Sequence, residues 1–181
     1  MIEPLAILSY LFTHPMGTTH APTPFVLEST SFSNHGRIPR TYTCWGKNET
    51  PPLQWTGAPP QTESYALLMI DEDVPRLHWY QWVVFNISAK KTALPKNVSS
   101  QASFVVANNS FGDPHYHGPC FTGKKRKHHY QFVIYALDSK LSNAFQADPI
   151  TLRKTLELHA LAKAQLYGYV VRRKAKHQTH R

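Results

Sequence analysis

Two segments of the chain concentrate side chains that could bind an anion or a metal ion. The first, residues 71–82, carries three acidic residues and a histidine. The second, residues 115–130, holds four of the chain's eleven histidines. Imidazole, carboxylate and phenol groups can either ligate a metal or hold an anion through hydrogen bonds.

A metal site would use a pair of carboxylates and a pair of histidines. Alternate residues of an extended chain point the same way, so Asp71 and Asp73 would share a face, as would His115 and His117. Nitrogen and oxygen ligands suit zinc or another transition metal. This spacing is common by chance. We therefore interpret these residues as a polar loop rim and predict no metal and no cofactor.

An anion site would combine a histidine, a tyrosine hydroxyl, an amide and loop N–H groups around a phosphate. Hydrogen bonds to charged groups are about twice as strong as neutral ones. Asp71 would then orient a histidine and favour its charged form, without contacting the anion. Pockets for small ligands place a few polar groups in an apolar wall. Four aromatic residues could supply that wall: Trp79, Trp82, Tyr116 and Tyr130.

Signals for nucleophilic catalysis are weak in this sequence. It has neither a Gly-x-Ser-x-Gly elbow nor a Walker loop. Cys120 lies close to several histidines in sequence, but free cysteine is commonly a small buried hydrophobe. Cys44 and Cys120 could instead pair in an oxidising compartment, although two cysteines alone do not establish a pair.

The segments that must position these groups are short and rich in turns. Strand-like runs of aromatic and β-branched residues alternate with gaps of Pro, Gly, Asn and Asp between Phe25 and Asp138. This pattern favours a β-sandwich or barrel over a βαβ wind. The predicted strands cover residues 64–70, 79–87, 103–107 and 130–137.

One helix is predicted near the C-terminus. Asp148 is a suitable N-cap, and Pro149 suits the first helical position. The segment 150–167 is dense in Leu and Ala, and Gly168 would end the helix. We expect His159, beside the apolar stripe, to be a hydrogen-bonded core residue. The leucines expected to face the sheet are Leu152, Leu156 and Leu166.

The positive charge of the chain is concentrated in two places. Its 181 residues suit one domain, and 20 Lys and Arg against 11 Asp and Glu give a net charge of +9. Residues 124–127 and 172–181 carry nine of those cations, which leaves 11 charges of each sign elsewhere. A nucleic-acid binder usually spreads its basic residues over a face. We expect no nucleic-acid partner, and at most peripheral membrane contact through the tail.

The first 24 residues differ from the rest of the chain. Leu5–Phe12 is a short apolar run without a preceding basic residue, so the segment fits a secretory signal poorly. No apolar run approaches the roughly 18 residues of a membrane span. We predict an N-terminal extension over 1–24, a domain over 25–171 and a basic tail over 172–181. The expected location is the cytoplasm, or the periplasm or exterior if residues 1–24 act as a signal.

Several motifs, in order, resemble the phosphatidylethanolamine-binding protein family, and its bacterial Raf-kinase-inhibitor-like branch in particular. The similarity runs from about Phe25 to Arg173. It rests on an acidic turn, a strand ending in Asn-Ile, a Gly-Pro-Cys loop and a His-x-Tyr motif. These stand at residues 71–75, 81–87, 118–120 and 128–130, followed by Tyr-Ala-Leu-Asp at 135–138.

The resemblance implies a mainly β fold, with a large antiparallel sheet packed on a smaller one as a Greek-key-like sandwich with peripheral helices. It also implies non-enzymatic binding of a phosphorylated head group or other small anion, with an inhibitory role toward a protein partner as an extension. A phosphoester or metal-dependent hydrolase is the alternative. By motif, the ligand-binding residues are Asp71, Gln81, Gly118, Pro119, His128 and Tyr130, with Pro75, Trp79 and His117 on the rim.

Three departures from the family pattern bear on ligand affinity. Gln81 stands where the family has histidine, and an amide cannot become a cation. Glu72 replaces a proline and adds negative charge beside the pocket. The loop before His128 is long and carries the cations of residues 124–127. We hypothesise that this loop replaces the missing imidazole charge.

Overall fold

The described part of the chain forms two β-sheets and one α-helix. A computed structural model describes residues 23–75, 78–98, 104–122, 125–144 and 148–172. The predicted N-terminal extension, Lys124 and nearly all of the basic tail lie outside these residues. The strands are β1 (Val26–Glu28), β2 (Gly36–Arg37), β3 (Leu53–Thr56), β4 (Ser64–Asp71), β5 (Trp79–Ser88), β6 (Ala93–Leu94), β7 (Val105–Val106), β8 (Lys127–Leu137) and β9 (Ala160–Val171). Helix α1 spans Pro149–His159, and a 3-10 turn spans Arg40–Tyr42.

The large sheet has six strands in the order β2-β9-β8-β4-β5-β7, and the small sheet has the order β1-β3-β6. Neighbouring strands are antiparallel, except for β2 and β9, which pair in parallel. The mainly β architecture with a large and a smaller sheet is therefore confirmed.

Strand β4 lies at the centre of the molecule and is buried at all eight positions. One face of the large sheet packs on the small sheet, in a core that joins Met69 to Leu53 and Trp55. The other face packs on α1, in a core that joins Leu68 to Leu152 and Leu156. A strand covered on both faces has a continuous apolar sequence.

The predicted helix is right at its start and wrong at its end. The Asp148 carboxylate accepts a hydrogen bond from the Ile150 N–H, as an N-cap does. The helix ends at His159, however, and β9 continues from residue 160 along the whole of β8. Every second residue of β9 is buried from Ala164 onward, which is the pattern of a strand with one face in the core. Pairing with β8 thus outweighs the helix propensity of a segment rich in Leu and Ala.

Two details of the helix prediction change with it. Gly168 does not end a helix but lies in β9, and Leu166 faces the core from that strand. His159 is hydrogen-bonded as predicted, with Nδ1 2.9 Å from Oδ1 of Asp138, but its side chain is 40% exposed. Among the described residues, no helix is long and apolar enough to cross a membrane.

Candidate functional site

A buried histidine–aspartate pair lies where β4 and β8 meet. Asp71 ends β4 and pairs across the strands with Tyr130. His128 precedes Tyr130 by two residues in β8, so both side chains lie on one face. Nδ1 of His128 lies 2.9 Å from Oδ2 and 3.1 Å from Oδ1 of Asp71. Asp71 is 2% exposed and His128 is 7% exposed.

The Tyr130 hydroxyl lies at the same site and is fully buried. It has no hydrogen-bond partner among the described residues. Burial, and next the nearby Asp71 carboxylate, raise the pKa of Tyr130 above its usual range. The hydroxyl therefore keeps its proton and remains available as a donor.

Gln81 lies at an irregularity in the pairing of β4 with β5. In the register of β4 with β5, Met69 pairs with Trp82 and Ile70 pairs with Tyr80, so Gln81 has no partner on β4. Such a bulge re-aims a side chain and is common beside binding sites. Gln81 is 1% exposed, and its Oε1 has no hydrogen-bond partner in the described chain.

The Gly118 loop approaches the backbone of a neighbouring segment closely. The N–H of Gly118 donates to Oδ1 of Asn48 over 2.8 Å. A Cβ at this position would lie 2.3 Å from the Tyr42 carbonyl oxygen, so only glycine fits. The N–H of the preceding residue, His117, donates to the Gln81 carbonyl over 3.0 Å. In this structure both N–H groups position the loop.

A disulfide bond fixes the same loop. Cys44 and Cys120 are joined, with their Cα atoms 5.4 Å apart, so the pairing that the sequence left open is present and Cys120 is not a free thiol. The Pro119 carbonyl also accepts from the Cys44 N–H over 3.3 Å. The next residue, Phe121, stacks on the His128 ring with centroids 4.0 Å apart and planes 7° apart. Sequence reasoning missed Phe121; its only signal is its place directly after Gly-Pro-Cys.

Two of the three predicted rim residues, Trp79 and His117, belong to one aromatic cluster. Trp79 meets Phe111 edge to face at 5.3 Å, and Phe111 stacks on His117 at 4.2 Å. Nε2 of His117 lies 2.9 Å from Oδ2 of Asp113. Pro75 is exposed in the turn that follows β4. Phe111 and Asp113 were missed by sequence reasoning, because their contacts come from the loop conformation.

The histidine pair considered for a metal site lies apart from the two aspartates. Nδ1 of His115 lies 3.3 Å from Oδ1 of Asp113, the residue that also binds His117. A different set has suitable geometry: Asp71, Asp73 and His128 each offer one ligand atom, and these atoms lie within 4.8 Å of one another. The sequence analysis considered the two aspartates together with His115 and His117, whereas the structure brings His128 to them.

Asp73 already has two cationic or polar neighbours. Its carboxylate lies 2.6 Å from Nζ of Lys125 and 2.8 Å from Nδ1 of His129. Burial acts to raise the pKa of Asp73, but hydrogen bonds from Lys125 and His129 outweigh it and lower that pKa to about 2. The carboxylate is thus ionised at neutral pH, and a metal would have to displace these partners.

The described cations of the basic loop have neighbours of their own. Lys125 pairs with Asp73, Nζ of Lys127 lies 4.1 Å above the Tyr169 ring, and Arg126 donates to the Arg172 carbonyl. Lys125 is the one that lies beside the site, through Asp73. Its role in replacing an imidazole charge stays a prediction.

The chain matches a family of known proteins over most of its length. Residues 28–171 match the sequence profile of the phosphatidylethanolamine-binding protein family. A UPF0098 protein of Methanothermobacter thermautotrophicus is 38% identical over 146 residues, which cover 78% of this chain and 95% of that protein. A UPF0098 protein of Chlamydia pneumoniae is 34% identical over 147 residues, covering 78% and 95%.

Solved structures agree with the sequence comparisons. The homologue CT736 from Chlamydia trachomatis, described as a putative phosphatidylethanolamine-binding protein homologue, superposes with a TM-score of 0.73 at 32% identity, covering 83% of this chain and 98% of that one. YbcL from E. coli gives a TM-score of 0.76 at 25% identity, covering 82% and 99%. The fold and site define a β-sandwich protein with a buried polar centre. The chain belongs to the phosphatidylethanolamine-binding protein family, in the branch shared with these bacterial and archaeal relatives.

Proposed function

We propose that this protein binds a small phosphate-bearing anion at the site formed by Asp71, Gln81, His128 and Tyr130, and that it does so without catalysing a reaction. The supporting observation is that two buried polar groups at this site, Gln81 Oε1 and the Tyr130 hydroxyl, have no hydrogen-bond partner in the described chain. An unpaired buried polar group costs about 1–3 kcal/mol. An anion that accepts from the Tyr130 hydroxyl recovers the cost of that donor, and the Gln81 amide can turn its NH2 toward the same anion.

Each of the three inner side chains can contribute one interaction to the anion. Tyr130 donates its hydroxyl proton, which its raised pKa retains. The Gln81 amide turns about its last torsion, which is broad and roughly two-fold, and presents its NH2 donor in place of the oxygen. His128, oriented by Asp71 through Nδ1, supplies positive charge when it is protonated. Hydrogen bonds of this charged kind are the stronger ones.

The surrounding residues shape the site. Gly118 and Pro119 belong to the loop that the disulfide holds, and Phe121 covers one face of His128. Trp79 and His117 contribute to the aromatic rim through Phe111. The names of the family and of the relative CT736 refer to phosphatidylethanolamine, a lipid whose head group carries a phosphate.

Calorimetric titration of phosphate and phosphoethanolamine near pH 6.5 tests the proposal. Wild type is expected to bind, and Tyr130→Phe, which removes only one donor, is expected to lose about tenfold in affinity. Asp138→Asn is the matched control, because Asp138 forms an exposed His–Asp pair elsewhere. Absence of binding by wild type, or equal binding by Tyr130→Phe, would refute the proposal.

A metal-dependent hydrolase is the second candidate, and the cluster of Asp71, Asp73 and His128 favours it. A metal held there would activate a water molecule for attack on a phosphoester. Turnover of a chromogenic phosphate ester with added zinc or manganese separates the two functions. The binding proposal expects no turnover above the buffer rate, and metal-stimulated turnover that Asp71→Asn abolishes would establish the hydrolase.

The compartment and a protein partner remain proposals. A disulfide between exposed cysteines is typical of an oxidising environment, which supports the periplasm or cell exterior over the cytoplasm.

An inhibitory role would place a protein partner near the rim of the phosphate site. Such a partner, when added to the protein, should reduce phosphate binding measured by calorimetry.

A further inference from the structure

The two basic segments of the sequence meet at one end of the large sheet. β8 and β9 pair so that Lys127 faces Val171. Beyond that pair, the N–H of Arg172 donates to the Arg126 carbonyl over 2.9 Å. A guanidinium nitrogen of Arg126 donates in turn to the Arg172 carbonyl over 2.6 Å. Cations that lie 46 residues apart in the chain are therefore neighbours in the fold.

A cavity of about 370 Å³ opens beside this meeting point. Three arginines line it: Arg37 of β2, Arg40 of the 3-10 turn, and Arg172. Apolar groups form its floor: Trp45, half-buried, and Val171, 36% exposed, offer surface to a ligand, while Ile38 and Val170 are buried. None of the lining residues is acidic. The volume lies within the roughly 300–1,000 Å³ of small-molecule sites.

Contacts within the fold place two of these arginines at the cavity. Nε of Arg40 donates to the Trp45 carbonyl over 2.5 Å, which fixes the side chain across its own loop. Arg37 follows Gly36 in the short edge strand β2, which the parallel pairing with β9 places beside residues 168 and 169. Guanidinium groups bind carboxylate, sulfonate and phosphate oxygens in a planar, often bidentate fashion.

The cavity borders the proposed phosphate site but shares no residue with it. Val170, in its floor, pairs with His128 across β8 and β9. Trp45 meets Phe121 edge to face at 5.1 Å, and Phe121 covers His128. The two sites are thus neighbours separated by an aromatic wall.

We propose that this arginine cavity is a second ligand site, which binds an amphipathic anion of the medium-chain carboxylate class. The carboxylate would lie against Arg37, Arg40 and Arg172, and the hydrocarbon chain over the apolar floor. Charge alone does not explain the cavity, since an inorganic anion would leave the accessible apolar surface of Trp45 and Val171 uncovered. Burial of apolar ligand surface contributes roughly 25 cal/mol per Å². Both parts of the ligand are therefore required.

Titration of decanoate into the full chain, followed by calorimetry, tests this site. Decanoate is expected to bind, while acetate, which lacks the chain, and decanol, which lacks the charge, bind at least about tenfold more weakly. The double variant Arg37→Gln/Arg172→Gln is expected to lose about tenfold in decanoate affinity. Lys90→Gln/Lys154→Gln removes two exposed cations elsewhere and is the matched control.

Two further variants separate a loss of decanoate binding from unfolding of the chain and from effects at the phosphate site. Val171→Asp places a carboxylate at a residue that is 36% exposed on the cavity wall, and repulsion is expected to weaken decanoate binding without unfolding the chain. Tyr130→Phe is expected to leave decanoate affinity unchanged. The inference is wrong if decanoate does not bind, if the arginine variant binds it normally, or if Tyr130→Phe abolishes its binding.

Discussion

Nδ1 of His128 lies within hydrogen-bond distance of both carboxylate oxygens of Asp71, at 2.9 and 3.1 Å, and both residues are buried. Among the other His–Asp pairs of the chain, His159 with Asp138 has the same 2.9 Å separation but is about half exposed. Low dielectric strengthens the buried pair relative to the exposed one. The buried pair is therefore expected to matter for ligand binding and the exposed pair is not.

Asp71→Asn is predicted to weaken phosphate binding by about tenfold while keeping the shape of the site. The amide oxygen of asparagine still accepts from His128, but it no longer stabilises a positive imidazole. Calorimetry with phosphate on both proteins measures the loss. Equal losses in Asp71→Asn and Asp138→Asn would contradict the prediction.

Gln81→Leu is predicted to separate stability from binding. Leucine removes a buried amide whose oxygen has no partner among the described residues, so the free energy of unfolding should stay level or rise by about 1 kcal/mol. Phosphate affinity should fall by about tenfold, because one donor is lost. Urea unfolding and calorimetry on the same preparation measure both quantities. A destabilised variant would show that Gln81 is satisfied in the folded protein.

The lowered pKa of Asp73 predicts how the free energy of unfolding depends on pH in acid. Its pKa is lowered from 3.8 to about 2 in the folded protein, so it stabilises the fold above about pH 4, and that contribution is lost as pH falls toward 2. A shift of this size corresponds to roughly 2 kcal/mol for this side chain, which is 15% exposed. Urea unfolding of wild type and Asp73→Asn should therefore differ near pH 6 and converge near pH 2. A constant difference across that range would assign the effect to packing.

Because of the disulfide, the free energy of unfolding is expected to depend on redox conditions. It closes a loop between residues 76 positions apart, and a cross-link of this span stabilises a fold by about 4 kcal/mol in the loop-entropy account. Reduction, or Cys44→Ser/Cys120→Ser, should lower the free energy of unfolding by that order. Reduction should also weaken phosphate binding, since the bond positions Phe121 beside His128. A thiol titration before and after reduction verifies the redox state.

The sequence predicted the parts of the site that depend on residue type and order, and missed those that depend on register. Asp71, His128 and Tyr130 come together because they end or begin central strands, which short apolar runs mark. The position of Gln81 depends on a bulge in β5, and the effect of a single extra residue on pairing does not show in the hydrophobic pattern. Phe111 and Phe121 enter through loops, whose contacts span distant parts of the chain.

Most of strand β9 was predicted as part of the helix because its strand character also depends on pairing with a distant segment. Leu and Ala favour a helix locally, while β8 offers residues 160–171 a complete set of pairing partners. Gly168→Ala tests this assignment by the sign of its effect. In a helix, replacing glycine by alanine would stabilise the chain by about 1 kcal/mol. In β9, a Cβ at this position would lie 2.6 Å from Cγ1 of Ile38 and 3.1 Å from Cε2 of Phe32, so we expect a loss of about 1–3 kcal/mol. Urea unfolding measures the difference, and a stabilised variant would overturn the strand assignment.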